Sequence, residues 1–109
     1  MIKAKTMTEL FNRSSRWTKG EAAKTATGIQ VHISDPRAAK FCLVGGVQFC
    51  YDWEQQAVVS QTLAQTIRAN FKDMRRGRHE SEIRLITRFN DKTTRTFKDI
   101  KRLVRLANV

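Results

Sequence analysis

An uncharged stretch in the middle of the chain constrains the fold, because the remaining segments must cover it. Residues 41–50 read Phe-Cys-Leu-Val-Gly-Gly-Val-Gln-Phe-Cys and contain seven hydrophobic side chains, whereas charged residues make up 28% of the whole chain. Removing apolar surface from water is the main driving force for folding. We therefore expect this stretch to form the centre of the core, covered by the charged segments, and not to form a binding site.

Two conformations fit this stretch. Gly45-Gly46 would suit a two-residue hairpin turn between two short strands, because glycine adopts positive φ at both turn positions. Alternatively, Asp35 would cap a helix over residues 36–50 that has Pro36 at its first position. Each glycine inside a helix costs roughly 1 kcal/mol relative to alanine, which a closely packed neighbour would offset. We favour the helix and keep the hairpin as the alternative.

Hydrophobic spacing and capping residues predict three further helices. The strongest pattern follows Asp52, where small and apolar residues recur every three or four positions, at Trp53, Ala57, Ser60, Ala64, Ile67 and Phe71. Thr96 and Asp99 have the spacing of a capping box that opens the last helix. The additional helices are expected over residues 8–17, 53–74 and 97–107.

The other segments are expected to be connections. Residues 21–34 lack a helical pattern, although apolar and polar residues alternate there as in a short extended segment. Residues 80–89 fit a strand or a helix, and residues 89–91, Phe-Asn-Asp, suit a polar turn. The fold expected from these patterns is mostly α. It is a single domain over residues 1–109, a compact bundle of about four helices around a buried central helix that contains Cys and Gly.

The charge of the chain indicates a polyanionic partner. There are 21 Lys and Arg residues against 10 Asp and Glu, a net charge of +11, and residues 72–109 hold 12 of the 21 basic residues. In the last expected helix the cations lie together, opposite an apolar half. Such clustering is typical of proteins that bind a nucleic-acid backbone or an acidic protein surface. The candidate binding residues are Arg75, Arg76, Arg78, Arg84, Arg88, Lys98, Lys101, Arg102 and Arg105.

Residues suited to catalysis or metal binding are few. Cys42 would need His32 or His79 as a base, and a thiol in an apolar run has a raised pKa and poor access. Cys42 and Cys50 are not part of a Cys-x-x-Cys pattern, and with two histidines they supply too few ligands for a zinc site. We expect two reduced, buried thiols, no enzyme activity, no metal and no cofactor.

The sequence also predicts where the protein resides. No apolar stretch approaches the roughly 20 residues that span a bilayer. The first five residues, Met-Ile-Lys-Ala-Lys, lack the apolar centre of a signal peptide. We expect a cytoplasmic protein without membrane contact. The pattern gives no indication of its oligomeric state.

Several short motifs follow one another in an order that covers most of the chain. They are Trp17 with Gly20 and Gly28; Asp35-Pro36 with Ala39, Cys42 and Gly45-Gly46; and Phe89-Asn90-Asp91 with Arg95-Thr96, Ile100 and Ala107. This succession resembles an uncharacterised family of small bacteriophage and actinomycete proteins. The resemblance implies a compact helical fold and supports the central helix, but it implies no activity. The chain departs from that family by having Phe89 where Trp is usual and by its strongly basic charge.

Two functions agree with these observations. The first is a small phage-like accessory protein that binds DNA or RNA backbone with little sequence specificity, since most aromatic residues lie at core spacings and leave no stacking surface for bases. The alternative is a phage-encoded interaction protein for host takeover. It would inhibit a host enzyme or defence complex by presenting the same basic surface to an acidic host protein, and either protein would act in the host cytoplasm.

Overall fold

The described part of the chain is mostly helical. A computed structural model describes residues 2–74 and 80–109. Its α-helices are α1 (Met7–Leu10), α2 (Leu43–Cys50), α3 (Trp53–Asn70), α4 (Glu82–Asp91) and α5 (Phe97–Ala107), with short 3₁₀ turns at Ser14–Arg16 and Lys72–Met74. Strands β1 (Ala23–Lys24) and β2 (Lys40–Phe41) form one antiparallel pair. The predicted mostly α fold with a short extended segment is confirmed.

The central apolar stretch is helical, but its helix begins later than predicted. α2 starts at Leu43, with Cys42 as the N-cap residue. Upstream, the Asp35 carboxylate accepts a hydrogen bond from the backbone N–H of Arg37 at 2.8 Å, which closes a turn in place of a helix. The predicted start at Pro36 is therefore wrong. The reason is tertiary, because pairing of β2 with β1 holds the residues before α2 in an extended conformation.

Gly45 and Gly46 lie inside α2, so the alternative hairpin is wrong. Both glycines are buried. Gly45 lies against the backbone of Ala22, and Gly46 lies against the side chains of Leu10 and Phe11. The expected close contact is present, although its tightest part involves extended backbone and not a second helix. Only glycine allows the segment before β1 to approach α2 so closely.

α3 begins as predicted and ends one turn early. Asp52 and Gln55 form a capping box at its start, and it ends at Asn70, before the 3₁₀ turn. Two residues of the predicted core stripe are exposed, Ala57 and Trp53, the latter by 86%. They border an open groove between α2 and α4, and nothing in the described part of the chain covers them. The buried residues of α3 are Val59, Ser60, Leu63, Ala64 and Ile67.

The first predicted helix, over residues 8–17, is only one turn long. Thr6 caps α1 by accepting a hydrogen bond from the N–H of Glu9 at 3.1 Å, and the helix stops before Phe11. Trp17 instead forms a bridge with Phe41 of β2. This tertiary contact outweighs the helical pattern of the sequence.

Residues 80–89, for which the sequence allowed a strand or a helix, belong largely to α4. Ser81 caps this helix by accepting a hydrogen bond from the N–H of Arg84 at 3.2 Å. The polar turn predicted at residues 89–91 is wrong, because these residues form the last turn of α4. Phe89 and Asn90 are buried there. Asn90 donates to the side chain of the adjacent Asp91, and its other hydrogen-bond partners, Trp17, Thr18 and Leu43, lie in distant segments.

The helices pack around α3. It contacts α2, α4 and α5, while α1 packs against α2 and α5. The largest fully buried side chains come from all five helices and β2, and they are Met7, Leu10, Phe11, Phe41, Leu43, Leu63, Ile67, Leu85, Ile86, Phe89, Ile100 and Leu103. α5 is thus held by its apolar face and presents the opposite face outward.

Candidate functional site

The predicted cations of the last helix form one exposed face. The helix α5 has the predicted bounds, with the capping box of Thr96 and Asp99 at its start and Asn108 in a left-handed conformation at its end. Its inner side buries Ile100, Leu103, Val104 and Ala107. The outer side carries four exposed cations, here called the cationic face: Lys98, Lys101, Arg102 and Arg105. Their backbone is fixed by a packed helix, so their relative placement is fixed too.

The charges of the cationic face are not neutralised by any acid that the structure describes. In residues 2–74 and 80–109, no carboxylate forms an ion pair with any of its four cations. The one acid of α5, Asp99, accepts a hydrogen bond from the Thr96 backbone N–H at 3.2 Å. Its Oδ2 atom also lies 3.6 Å from Nη1 of Arg95. Asp99 therefore interacts with Thr96 and Arg95 at the start of the helix and not with the four cations of the cationic face.

Neighbouring side chains shape the cationic face. The guanidinium of Arg102 lies 4.7 Å from the centre of the Phe71 ring, a cation–π contact that limits the rotamers of this arginine. Lys101 and Arg105 border a shallow groove of about 370 Å³ whose other side is formed by Thr8 and Phe11. α1 is held at this end of α5, because the Thr8 backbone N–H donates to the Val109 carbonyl at 2.9 Å.

The remaining predicted binding residues do not belong to α5. Arg75, Arg76 and Arg78 are outside the described residues. Arg84 and Arg88 are on α4, and Arg84 is exposed. Arg88 forms an ion pair with Glu80 and also donates to the Met74 carbonyl at 3.3 Å. Because Arg88 holds the end of α4 against the 3₁₀ turn, we do not include it in the cationic face.

Arg95 is a structural cation that sequence reasoning missed. It is 7% exposed, and its Nε donates to the Phe89 carbonyl at 2.8 Å while Nη2 donates to Asp73 Oδ2 at 3.0 Å. Its guanidinium carbon lies 3.7 Å from the centre of the Phe89 ring. Hydrogen bonds from Lys92 and Arg95 lower the pKa of Asp73. No pattern in the sequence separates this arginine from the exposed ones, because its partners share no fixed spacing. Asp73 lies 22 residues away in the chain, and Phe89 lies six residues away.

Asn90 is a second buried polar residue that the sequence did not reveal. Its Oδ1 accepts hydrogen bonds from the Trp17 indole N–H at 2.9 Å and from the Leu43 backbone N–H at 3.0 Å. Its Nδ2 donates to the Thr18 carbonyl at 3.1 Å. The adjacent Asp91 accepts from the Gly20 backbone N–H at 3.0 Å. These bonds join α4 to the start of α2 and to the segment before β1, so the Asn-Asp pair has a structural role.

The two cysteines are half-buried thiols. Cys42 Sγ accepts a hydrogen bond from the Gly45 N–H at 3.3 Å as the cap of α2. Burial raises the pKa of Cys42, and this effect outweighs the lowering by the amide hydrogen bond. Burial likewise raises the pKa of Cys50 to about 12. Both thiols are therefore neutral at physiological pH, unlike an activated nucleophile.

We expect both native thiols to react with N-ethylmaleimide at least about tenfold more slowly than free cysteine at pH 8, since the thiolate is the reacting form. The reaction should accelerate as pH rises above 9. Because burial raises the folded-state pKa of both thiols, each contributes stability that is fully present below its ordinary pKa and is lost as pH rises through its folded-state pKa, which is about 12 for Cys50. Mass spectrometry of timed samples measures the rates. The urea-unfolded chain is the control, and equal rates in native and unfolded protein would contradict the assignment.

Two further features of the described residues concern catalysis and membranes. His32 is exposed, and its Nδ1 accepts a hydrogen bond from the Ser34 backbone N–H at 3.1 Å. Within residues 2–74 and 80–109, no three His, Cys, Asp or Glu side chains are grouped so that they could hold a metal ion. Over the same residues, no helix is both long enough and apolar enough to cross a membrane.

Comparison with known proteins identifies the family. The model of a family of unknown function, DUF6197, matches residues 6–108. The chain belongs to this family. The DUF6197 match covers all five helices, the small sheet and the cationic face. The predicted membership of an uncharacterised family is confirmed, whereas a phage or actinomycete origin stays a prediction. No curated protein and no solved structure matches the chain significantly.

Proposed function

We propose that this DUF6197 protein binds a polyanion through the cationic face, and that the polyanion is the backbone of DNA or RNA. One observation carries the proposal: α5 exposes four cations that no carboxylate in the described part of the chain neutralises. Like charges held side by side repel one another, so the arrangement destabilises the free protein. A bound polyanion would remove that repulsion.

The dimensions of the face suit a phosphate backbone. Lys98 and Arg105 are seven positions apart, which corresponds to about 10 Å along the axis of a helix. Phosphates on one strand of a duplex advance by about 3.4 Å along the duplex axis, so the face can contact about three of them. Arginine offers a planar pair of donors to phosphate, and lysine offers a compact charge. Contacts of this kind position a protein on nucleic acid and carry no base information.

The test is the salt dependence of binding to unrelated duplexes. The variant Lys101→Gln/Arg102→Gln/Arg105→Gln should weaken binding about equally for all sequences. It should also reduce the slope of log K against log salt by about 2.7, since each phosphate contact on duplex DNA contributes about 0.9. The fold should remain intact, because all three side chains are exposed. Fluorescence anisotropy at several salt concentrations measures the slope.

A charge-matched control separates the cationic face from net charge. The variant Lys3→Gln/Lys5→Gln/Lys40→Gln removes the same charge from residues before α2 and should leave the slope nearly unchanged. Equal effects of the two variants would contradict a localised site. If the wild-type protein binds neither DNA nor RNA at about 50 mM salt, the nucleic-acid proposal fails. The alternative then to be tested is a phage-encoded inhibitor that presents the same face to an acidic host protein.

A further inference from the structure

A groove between α2, α3 and α4 lies outside the cationic face. Its volume is about 450 Å³, within the size range of known binding sites. One wall comes from α2, the floor from the small residues of α3, and the other wall from the start of α4. The lining residues are Val44, Val47, Gln48, Trp53, Glu54, Gln56, Ala57, Ser60, Glu82 and Ile83. The groove and the cationic face share no residue.

Large apolar side chains stand exposed at the rim of this groove. Trp53 is 86% exposed and Ile83 is 49% exposed, although each belongs to a helix that buries other apolar residues. Exposed Trp and Ile on facing helices keep apolar surface in water, which is unfavourable relative to burial. A partner that covers them would recover that free energy.

The charges of the groove have the opposite sign to the protein. Among residues 2–74 and 80–109, the charged residues that line it are both acidic, Glu54 and Glu82, in a chain of net charge +11. Glu82 Oε2 is fully buried and has no hydrogen-bond partner in the described part of the chain. Its position in the first turn of α4 is favourable for a negative charge but provides no donor to that oxygen. That oxygen is out of reach of a partner, but Glu54 is exposed and the partly exposed Glu82 lines the groove, so a cationic group bound there would face two carboxylates.

We propose that this groove docks an amphipathic helical segment of a partner protein, with apolar side chains between Trp53 and Ile83 and a lysine or arginine paired with Glu82. The proposal follows from the combination of an apolar groove, exposed Trp53 and Ile83 at its rim and an acidic lining in a basic protein. Helices bind such grooves through apolar residues at positions i, i+3, i+4 and i+7. The inference goes beyond the proposed polyanion binding, because it concerns a second surface with the opposite charge preference.

Nuclear magnetic resonance with two designed peptides tests the proposal. Both are helical 16-residue peptides with a leucine face, and they differ only in having two lysines or two glutamines beside that face. The chain has two tryptophans, whose indole N–H signals can be resolved. The Trp53 signal should shift on binding, whereas the Trp17 signal should not, because its N–H is bonded to Asn90. The lysine peptide should bind about tenfold more tightly than the glutamine peptide.

Three protein variants complete the experiment. Glu82→Gln should abolish the preference for the lysine peptide while leaving binding of the glutamine peptide unchanged. Ile83→Ser should weaken both peptides, and the control Val58→Ser should weaken neither, because Val58 is exposed on α3 but does not line the groove. Thermal melting verifies that each variant is folded.

Three outcomes would overturn the proposal. The first is that neither peptide shifts the Trp53 signal with a Kd below about 1 mM. The second is that Glu82→Gln weakens both peptides equally, in which case the carboxylate does not recognise a cation. The third is sedimentation of the wild-type protein as an oligomer that Ile83→Ser dissociates, because the groove would then hold a second copy of this chain. None of these results depends on whether the cationic face binds nucleic acid.

Discussion

Gly45→Ala is expected to lower the free energy of unfolding by about 3 kcal/mol or more. A Cβ atom at this position would lie 1.9 Å from the carbonyl oxygen of Ala22 and 2.7 Å from its carbonyl carbon. These are backbone atoms, and the same oxygen accepts a hydrogen bond from the Cys42 N–H at 3.3 Å. Relief of the clash would separate α2 from the segment before β1 and break that bond. Urea denaturation of wild type and variant measures the change.

Gly46→Ala is the matched control for this prediction. A Gly→Ala change inside an ordinary helix stabilises it by about 1 kcal/mol, and both variants share that gain. At Gly46 the added Cβ would meet side chains, with Phe11 Cε2 at 2.8 Å and Leu10 Cδ2 at 3.3 Å. Side chains move more readily than backbone, so Gly46→Ala should cost clearly less than Gly45→Ala. A Gly45→Ala protein as stable as wild type would show that α2 does not approach Ala22 as closely as described.

Asn90→Ala should destabilise the fold by about 3–5 kcal/mol. The substitution removes hydrogen bonds to the Trp17 indole, the Leu43 N–H and the Thr18 carbonyl, and it leaves a small cavity at a site that is 1% exposed. Each buried group left without a partner costs about 1–3 kcal/mol. Chemical denaturation measures the loss.

The neighbouring residue provides the control for Asn90. Asp91 is exposed, and its Oδ1 accepts hydrogen bonds from two groups. The Gly20 N–H is also exposed and can bond to water instead, and Asn90 Nδ2 keeps its bond to the Thr18 carbonyl. Asp91→Ala should therefore cost no more than about 1 kcal/mol. Similar losses for the two variants would mean that the buried hydrogen bonds of Asn90 are not what stabilises this junction.

The helices that could be predicted are those that carry their own signals. α5 has the predicted bounds because its capping box and its apolar spacing agree, and α3 starts at Trp53, directly after its cap Asp52, for the same reason. The errors arise where tertiary contacts override local patterns. Because β2 pairs with β1, α2 begins at Leu43 and not at Pro36. The bridge between Trp17 and Phe41 likewise shortens the first helix. Sequence patterns do not contain these contacts, since the partners are far apart in the chain.

The candidate site was predictable to a similar extent. The stripe of cations on α5 follows directly from helical spacing. Ion pairing does not follow from spacing. The sequence therefore could not distinguish Arg102, which forms no ion pair with any described residue, from the buried Arg95 or from Arg88, which pairs with Glu80. The exposure of Trp53 was also hidden, because its spacing places it with core residues and only the geometry of α2 and α4 leaves it uncovered.

The hydrogen bonds of Asn90 have a consequence for the order of folding. Its partners Trp17, Thr18 and Leu43 are 73, 72 and 47 residues away in sequence. Closing such long loops costs conformational entropy before any bond forms, so contacts within and between α3 and α4 can form earlier at lower cost. The Asn90 junction is then among the last contacts made on folding and the first lost on unfolding. Its removal should accelerate unfolding far more than it slows folding.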